Sequence, residues 1–384
     1  MLQLYSMVLT LLLSMSVQAN QLADPLDMPA QQEAKAIHSL MLDVAWAGNR
    51  LVSVGEYGYV LYSDDQGVTW QQAEVPVQVA LTAVYFVNAQ RGWAVGHDGV
   101  ILHSDDNGET WAVQLDGRAT GAKLLTAATD WKVRIDQMMD GELTSEEEEA
   151  LSLQVDAVDL ALDEAQREVE VGPWRPFMDV YFRNENEGYA VGAFGYFFST
   201  KDGGKTWFDS SPSLPNYELL NLYGFTELAS GELLIVGEFG FVLRSADGGQ
   251  TWQQQDIGYE GSLFGVRGVS DNNVALAVGL RGNAFLSPDG GLSWRAIKVG
   301  KTSILDIAVI AEKKVIFVGL AGAVTLLDLM TYKTEDIKVR TRAHFASVAS
   351  AKDGNFVLLG TSGIMRINDK GDVLPVKFNV EGAK

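Results

Sequence analysis

The chain contains no cysteine. That absence removes disulfides, thiolate metal sites, a cysteine nucleophile and a lipid-modified N-terminal cysteine together. Cations are scarce: 29 Lys and Arg stand against 50 Asp and Glu, a net charge of −21 over 384 residues. Phosphate backbones are held by basic surface, so the balance argues against nucleic acid. It argues equally against adsorption to anionic lipid. The four histidines, His38, His97, His103 and His344, lack metal-ligand spacing. Neither a Gly-x-Ser-x-Gly elbow nor a phosphate-binding glycine loop occurs. His97 and Asp98 are adjacent, but an acid–base pair needs a third group to orient it. No catalytic residue, metal ligand or cofactor site is assigned.

Long apolar runs are also missing. The longest, Met7–Val17, is short for a bilayer span. It leads into Val17-Gln18-Ala19, whose small residues at −3 and −1 fit cleavage after Ala19, although no Lys or Arg precedes the run. Residues 1–19 read as a signal peptide, and no later segment is apolar enough to make the mature chain integral to a membrane. Export without disulfides points to a bacterial periplasm. Residues 20–36 read as an irregular lead-in crossing the surface of the domain.

What is present is repetition. Ser-x-Asp-x-Gly-x-Thr-Trp stands at Ser63, Asp65, Gly67, Thr69 and Trp70 and returns with Asp106 and Trp111, Asp202 and Trp207, Asp247 and Trp252, and Asp289 and Trp294. Ahead of each box a hydrophobic strand ends in Gly-x-x-Gly. This mark continues after the boxes have decayed, giving seven first glycines: Gly55, Gly96, Gly192, Gly237, Gly279, Gly319 and Gly360. Their spacings are 41, 96, 45, 42, 40 and 41 residues. A period near forty with strand-sized apolar runs and glycine turns is that of a propeller blade. In the second unit the predicted strands are Thr82–Val87, Arg91–Val95, Val100–Ser104 and Thr110–Gln114. The fold class is therefore all-β: a seven-bladed β-propeller over 37–384, every blade complete. The box is a folding device, in which aspartate accepts turn amides, glycine supplies positive φ and tryptophan packs between blades.

The one long spacing marks an insertion at 117–172. Leu124, Ala128, Trp131, Ile135 and Met138 follow helical steps. After Asp140-Gly141, a capping box at Thr144/Glu147 or Ser145/Glu148 starts a second helix, with Leu151, Val155, Val158, Leu162, Ala165 and Val169 on one face. The prediction is a helical hairpin between blades 2 and 3, projecting from one face. It carries 14 acidic and 5 basic residues. Trp174 and Phe177 are expected to clamp its base.

In a four-stranded blade, the links between blades and the turns between the second and third strands share one face. The hairpin and the Gly-x-x-Gly turns thus lie together, opposite the boxes. The turn residues form the expected partner-binding face: Glu56, Tyr57, His97, Asp98, Phe194, Glu238, Phe239 and Arg281. Exposed aromatics at turns suit a binding surface.

The boxes and glycine turns resemble the bacterial neuraminidase-type (BNR) repeat. The pairing of Val191-Gly192-Ala193-Phe194-Gly195 with Thr200–Trp207, and of Val236-Gly237-Glu238-Phe239-Gly240 with Ser245–Trp252, is similar to the photosystem II stability/assembly factor family. The resemblance covers about 37–380 except the insertion. It implies a non-catalytic propeller that assists assembly or stability of an inner-membrane protein complex, a transporter being one such partner. The alternative is a carbohydrate-binding propeller or a BNR-repeat glycoside hydrolase. A sialidase is disfavoured because its early Arg-Ile-Pro segment is absent.

Overall fold

The computed structural model describes residues 23–269, 273–311 and 313–379. The proposed signal peptide lies outside them.

Seven antiparallel sheets follow one another along the chain, each running from an inner to an outer strand. This is the all-β, seven-bladed propeller with an inserted helical hairpin. Blade 2 shows the pattern: Leu81–Phe86, Gly92–Gly96, Ile101–Ser104 and Ala112–Leu115. These lie within a residue or two of the predicted strands. Second strands such as Arg50–Gly55, Leu233–Gly237 and Phe356–Gly360 are buried along their whole length. Each is sandwiched between neighbouring blades, which is why the sequence there is apolar on both faces rather than alternating.

Inner strands carry a register shift near their start, between Met41 and Asp43, Ile304 and Asp306, and Phe345 and Ser347, for example. Such bulges re-aim the next side chain. Asp43 accepts from the Val84 amide of blade 2 at 2.9 Å, Asp179 from Phe225 of blade 4 at 2.8 Å, and Asp306 from Val348 of blade 7 at 3.1 Å. Carboxylates thus join consecutive inner strands. Arg267 stands among them, 3.7 Å from Asp306.

Every blade has its own four strands, as expected, and the chain end adds one more. After Val373–Leu374 of blade 7, the chain crosses to blade 1. There Lys377–Phe378 runs parallel to Thr69–Gln72 as a fifth strand. The lead-in crosses the same region. Leu26 is buried among Val75, Val77 and Val79, while Ala36 and Ile37 join the core between blades 7 and 1.

The insertion forms helices α1 (Gly117–Met139) and α2 (Ser145–Val171). Thr144 and Glu147 make the capping box in both directions. Leu124, Ala128, Trp131 and Ile135 are buried as the pattern requires, but Met138 is exposed. On α2, Leu151, Val158 and Ala165 are buried and Val169 is exposed; the buried residue of that last turn is Glu168. The hairpin does not stand clear of the disc. Rooted at the blade 2 turn, it leans α1 against the short outer strand Phe208–Asp209 and the Ser211–Ser213 turn of blade 3. Tyr217 packs into its core.

Candidate functional site: the glycine-turn face

The first glycine of each turn is dictated by close approach. A Cβ on Gly55 would lie 2.2 Å from the Leu40 carbonyl, on Gly237 2.4 Å from Asn221, and on Gly319 2.0 Å from Ser303. These carbonyls belong to the entry of the same blade's inner strand. They accept the next amide of the turn: Leu40 from Glu56 at 3.0 Å, Asn221 from Glu238 at 3.1 Å, Ser303 from Leu320 at 3.0 Å.

The next two residues are both left-handed. Tyr57, Asp98, Phe194, Phe239, Arg281 and Ala321 have φ between 50° and 59°, each followed by a glycine of positive φ. The Tyr59 amide returns to the Glu56 carbonyl at 3.0 Å, closing the turn. Two left-handed central residues make a type I′ turn, whose twist matches the flanking strands. Its first centre favours Asn, Asp or Gly. A bulky side chain there costs about 1–2 kcal/mol.

Three of the six non-glycine centres are nevertheless aromatic. Phe239 is 68% exposed, Tyr57 59% and Phe194 38%. They occupy unfavourable backbone without burying their rings fully. The same backbone recurs at Asp98, Arg281 and Ala321, so it belongs to the turn, and exposed aromatic surface is what these three blades add to it.

The remaining expected residues divide. Glu56 and Glu238 accept from the Leu40 and Asn221 amides, at 2.9 and 3.0 Å, so they brace the inner strands. Asp98 is half-buried beneath the hairpin root, where a Cβ on Gly117 would lie 2.5 Å from the Asp98 carbonyl. Burial raises the pKa of its carboxyl, an effect opposed by His97. His97 and Arg281 are exposed, and Arg281 has no carboxylate partner among the described residues. The seventh turn is different: Gly360 pairs directly with Gly363, and the lead-in at Ile37 and His38 lies against it.

One cluster was not legible in the pattern. Glu168 is buried where α2 meets the disc. It accepts from Thr120 at 2.9 Å and from the Tyr196 hydroxyl, and it forms an ion pair with Arg175 at 2.9 Å. Arg175 also meets Glu164 at 2.8 Å. Its guanidinium lies 5.2 Å from the rings of both Trp174 and Phe194. Trp174 stands edge-on to Phe194 at 4.7 Å and lies 5.7 Å from the Arg167 guanidinium of α2, so it sits between the hairpin base and the disc as expected. Phe177 instead belongs to the blade 3 core, against Tyr196 and Phe198. The hairpin root and the blade 3 rim turn therefore share one cation. An alternation of Glu and Val along α2 gives no sign of this, because Glu164, Glu168 and Glu170 look alike in sequence.

The boxes are closed on themselves. Asp65 accepts from the Thr69 amide and hydroxyl at 2.8 and 2.7 Å and from Ser63 at 2.9 Å; Asp106, Asp202, Asp247 and Asp289 repeat the arrangement. Hydrogen bonds to the ionised form hold all five below the ordinary carboxylate range, against some burial at Asp65, Asp106 and Asp289, with Asp247 at about 2. Trp70, Trp111, Trp207 and Trp252 are buried, and Trp294 is partly so. Among the described residues there is no cluster of His, Asp and Glu able to hold a metal, and no helix is long and apolar enough to cross a membrane.

The family described as photosynthesis system II assembly factor YCF48 matches residues 25–143 and 159–363. The chain belongs to this family. The match takes in the lead-in from residue 25 and all of α1, so only residues 144–158 of the hairpin interrupt it. The match extends beyond the repeats at the lead-in and the hairpin, and ends at residue 363, whereas the resemblance in the repeats runs to about 380. A solved structure of YCF48 bound to D1 peptide superposes with a TM-score of 0.58 at 16% identity, covering 88% of this chain and 95% of the other. YCF48 from Cyanidioschyzon merolae gives 0.58 at 14% identity, covering 88% and 98%. The WD40 propeller domain of Doa1 gives 0.58 at 10% identity, covering 90% and 96%. At these identities the likeness is one of fold. No curated protein matches the chain.

Proposed function

We propose that this member of the assembly-factor family is a non-catalytic, exported propeller that binds a membrane protein while its complex is being built. The observation that carries the reading is the family match along nearly the whole propeller. The D1 peptide on a solved YCF48 makes a protein segment the natural ligand class. In this chain the glycine-turn face is the favoured surface, because it places Tyr57, Phe194 and Phe239 in exposed, left-handed turns. His97 and Arg281 add polar contacts beside them. The partner is an inner-membrane complex reached from the periplasm, a transporter being one candidate. The acidic hairpin steers it by attracting basic surface, an effect that weakens as salt rises.

The test is crosslinking in the native envelope, followed by affinity capture and mass spectrometry. Wild-type protein should recover one membrane complex reproducibly. Tyr57→Ala with Phe239→Ala should reduce that recovery, as should deletion of 119–171. Recovery of no membrane protein by the wild type would end the assembly-factor reading. Turnover on a panel of glycosides would end the non-catalytic one. Mature protein beginning at Asn20 in a periplasmic fraction is the expected result for export.

A further inference from the structure

Helix α2 has a second face that the hairpin core does not use. Leu151, Val158 and Ala165 face inward and are buried. On the other side, Glu146, Glu149, Leu153, Asp156, Leu160 and Asp163 follow one another at steps of three and four, and all are exposed. Leu153 is 57% exposed and Leu160 41%. Seven residues apart, they are separated by two turns, about 10.5 Å, on one line of the helix.

The charges on the two sides behave differently. Asp136 and Asp159 share Lys132 at 3.4 and 3.5 Å, and Glu164 and Glu168 meet Arg175. The four carboxylates of the outer line have no cation partner among the described residues. On an exposed helix face, lysine four residues after an acid forms a pair worth about 0.2–0.5 kcal/mol. Four residues after Glu149 and Asp156 stand Leu153 and Leu160 instead. The stripe exposes apolar surface and forgoes its own counter-charges.

We propose that this stripe docks a basic amphipathic helix of the partner, one with apolar side chains repeating every seven residues between Lys and Arg. The proposal rests on the protein-binding role given above. Leu153 and Leu160 stand two turns apart, so one apolar side chain every seven residues on a second helix can meet them, with Glu149, Asp156 and Asp163 at the positions between. Lysines and arginines flanking the partner's seam would meet Glu149, Asp156 and Asp163, so the charges fix orientation while the leucines bury area. The stripe selects on both the sign of the flanks and the spacing of the apolar residues.

The test uses the full-length protein and three fluorescent 21-residue peptides. The first is a helix with leucines at heptad spacing and lysine flanks. The second has the same composition with the spacing scrambled, and the third keeps the spacing with glutamate flanks. Anisotropy should show binding of the first peptide only, weakening as salt rises. Leu153→Gln with Leu160→Gln should weaken it by about tenfold or more while circular dichroism keeps its helical signal. Glu149→Gln, Asp156→Asn and Asp163→Asn together should do the same. Tyr57→Ala with Phe239→Ala should leave it unchanged. Equal binding of the scrambled peptide, or full binding by the leucine variant, overturns the proposal. So does self-association in sedimentation that the leucine variant abolishes, which would make a second copy the occupant. Specific peptide binding without capture of a membrane complex would sink the assembly role and leave the stripe standing. Capture unaffected by the leucine variant, with no peptide binding, would do the reverse.

Discussion

Ser347, in the last inner strand, lies 2.9 Å from Asp43 in the first and 2.7 Å from Asp306. The two ends of the ring meet through one hydroxyl. A hydroxyl has a single proton to donate, so it can satisfy only one carboxylate as donor. The other contact is good only if that carboxyl brings its own proton. Burial, followed by the charge of Asp306, pushes Asp43 up to about 7, against relief from Arg267 and the Val84 amide; Asp179 adds a small push upward.

This makes ring closure dependent on pH. The folded carboxyl of Asp43 holds its proton more tightly than the unfolded one. Its contribution is fully present below pH 3.8 and is lost as pH rises through about 7. The substitution Asp43→Asn imitates the protonated form, since an amide can donate to Ser347. Melting temperature followed from pH 5 to pH 8.5 should fall less steeply in Asp43→Asn than in wild type. Parallel curves would show that Asp43 is ionised throughout.

The left-handed aromatics should trade stability for binding. Asparagine tolerates their backbone better than phenylalanine or tyrosine. Phe239→Asn and Tyr57→Asn are expected to leave the melting temperature unchanged or raise it, by the equivalent of about 0.5–1 kcal/mol each, while reducing partner capture. A clear loss of stability in urea titration would mean that the rings pack in the folded protein more than their exposure indicates.

Removing Arg175 should be far more damaging than its single charge suggests. Arg175→Met would leave Glu168 buried without a cation, and breaking a buried pair costs about 3–5 kcal/mol. The cost should appear first in the hairpin. Limited proteolysis is expected to cut near Gly172, where φ is 97° and no neighbouring atom lies within reach of a Cβ. Unchanged protection there would show that the hairpin is held by its apolar contacts alone.

A chain ending at Pro375 loses the fifth strand of blade 1. Lys377 donates to Val68 at 2.9 Å and Asn379 to Trp70 at 2.8 Å, while Val376 and Phe378 cover the core between blades 7 and 1. Calorimetry should show a melting temperature lower by several degrees and a broader transition, because blades 1 and 7 would no longer be tied by the tail. A sharp, unshifted transition would assign closure to the inner strands alone.

The sequence by itself determined the number of blades, the place and helical nature of the insertion, and the role of the boxes. Each of these rests on short-range chemistry. Asp65 meets Thr69 within one turn, Gly55 and Gly58 act within one hairpin, and Trp131 and Ile135 sit one helical turn apart. A period repeated seven times shows such local rules clearly. Only the tertiary structure decided how the ring closes, which rim residues are free, and how the hairpin is held. Ser347 and Asp43 are 304 positions apart. Glu56 and Glu238 resemble exposed acids until the amides they brace are in place. Glu168 differs from Glu170 only by which side of a helix the disc lies against. In each case the partner comes from a distant part of the chain, and the side chain's burial and proton affinity follow from that partner rather than from its neighbours in sequence.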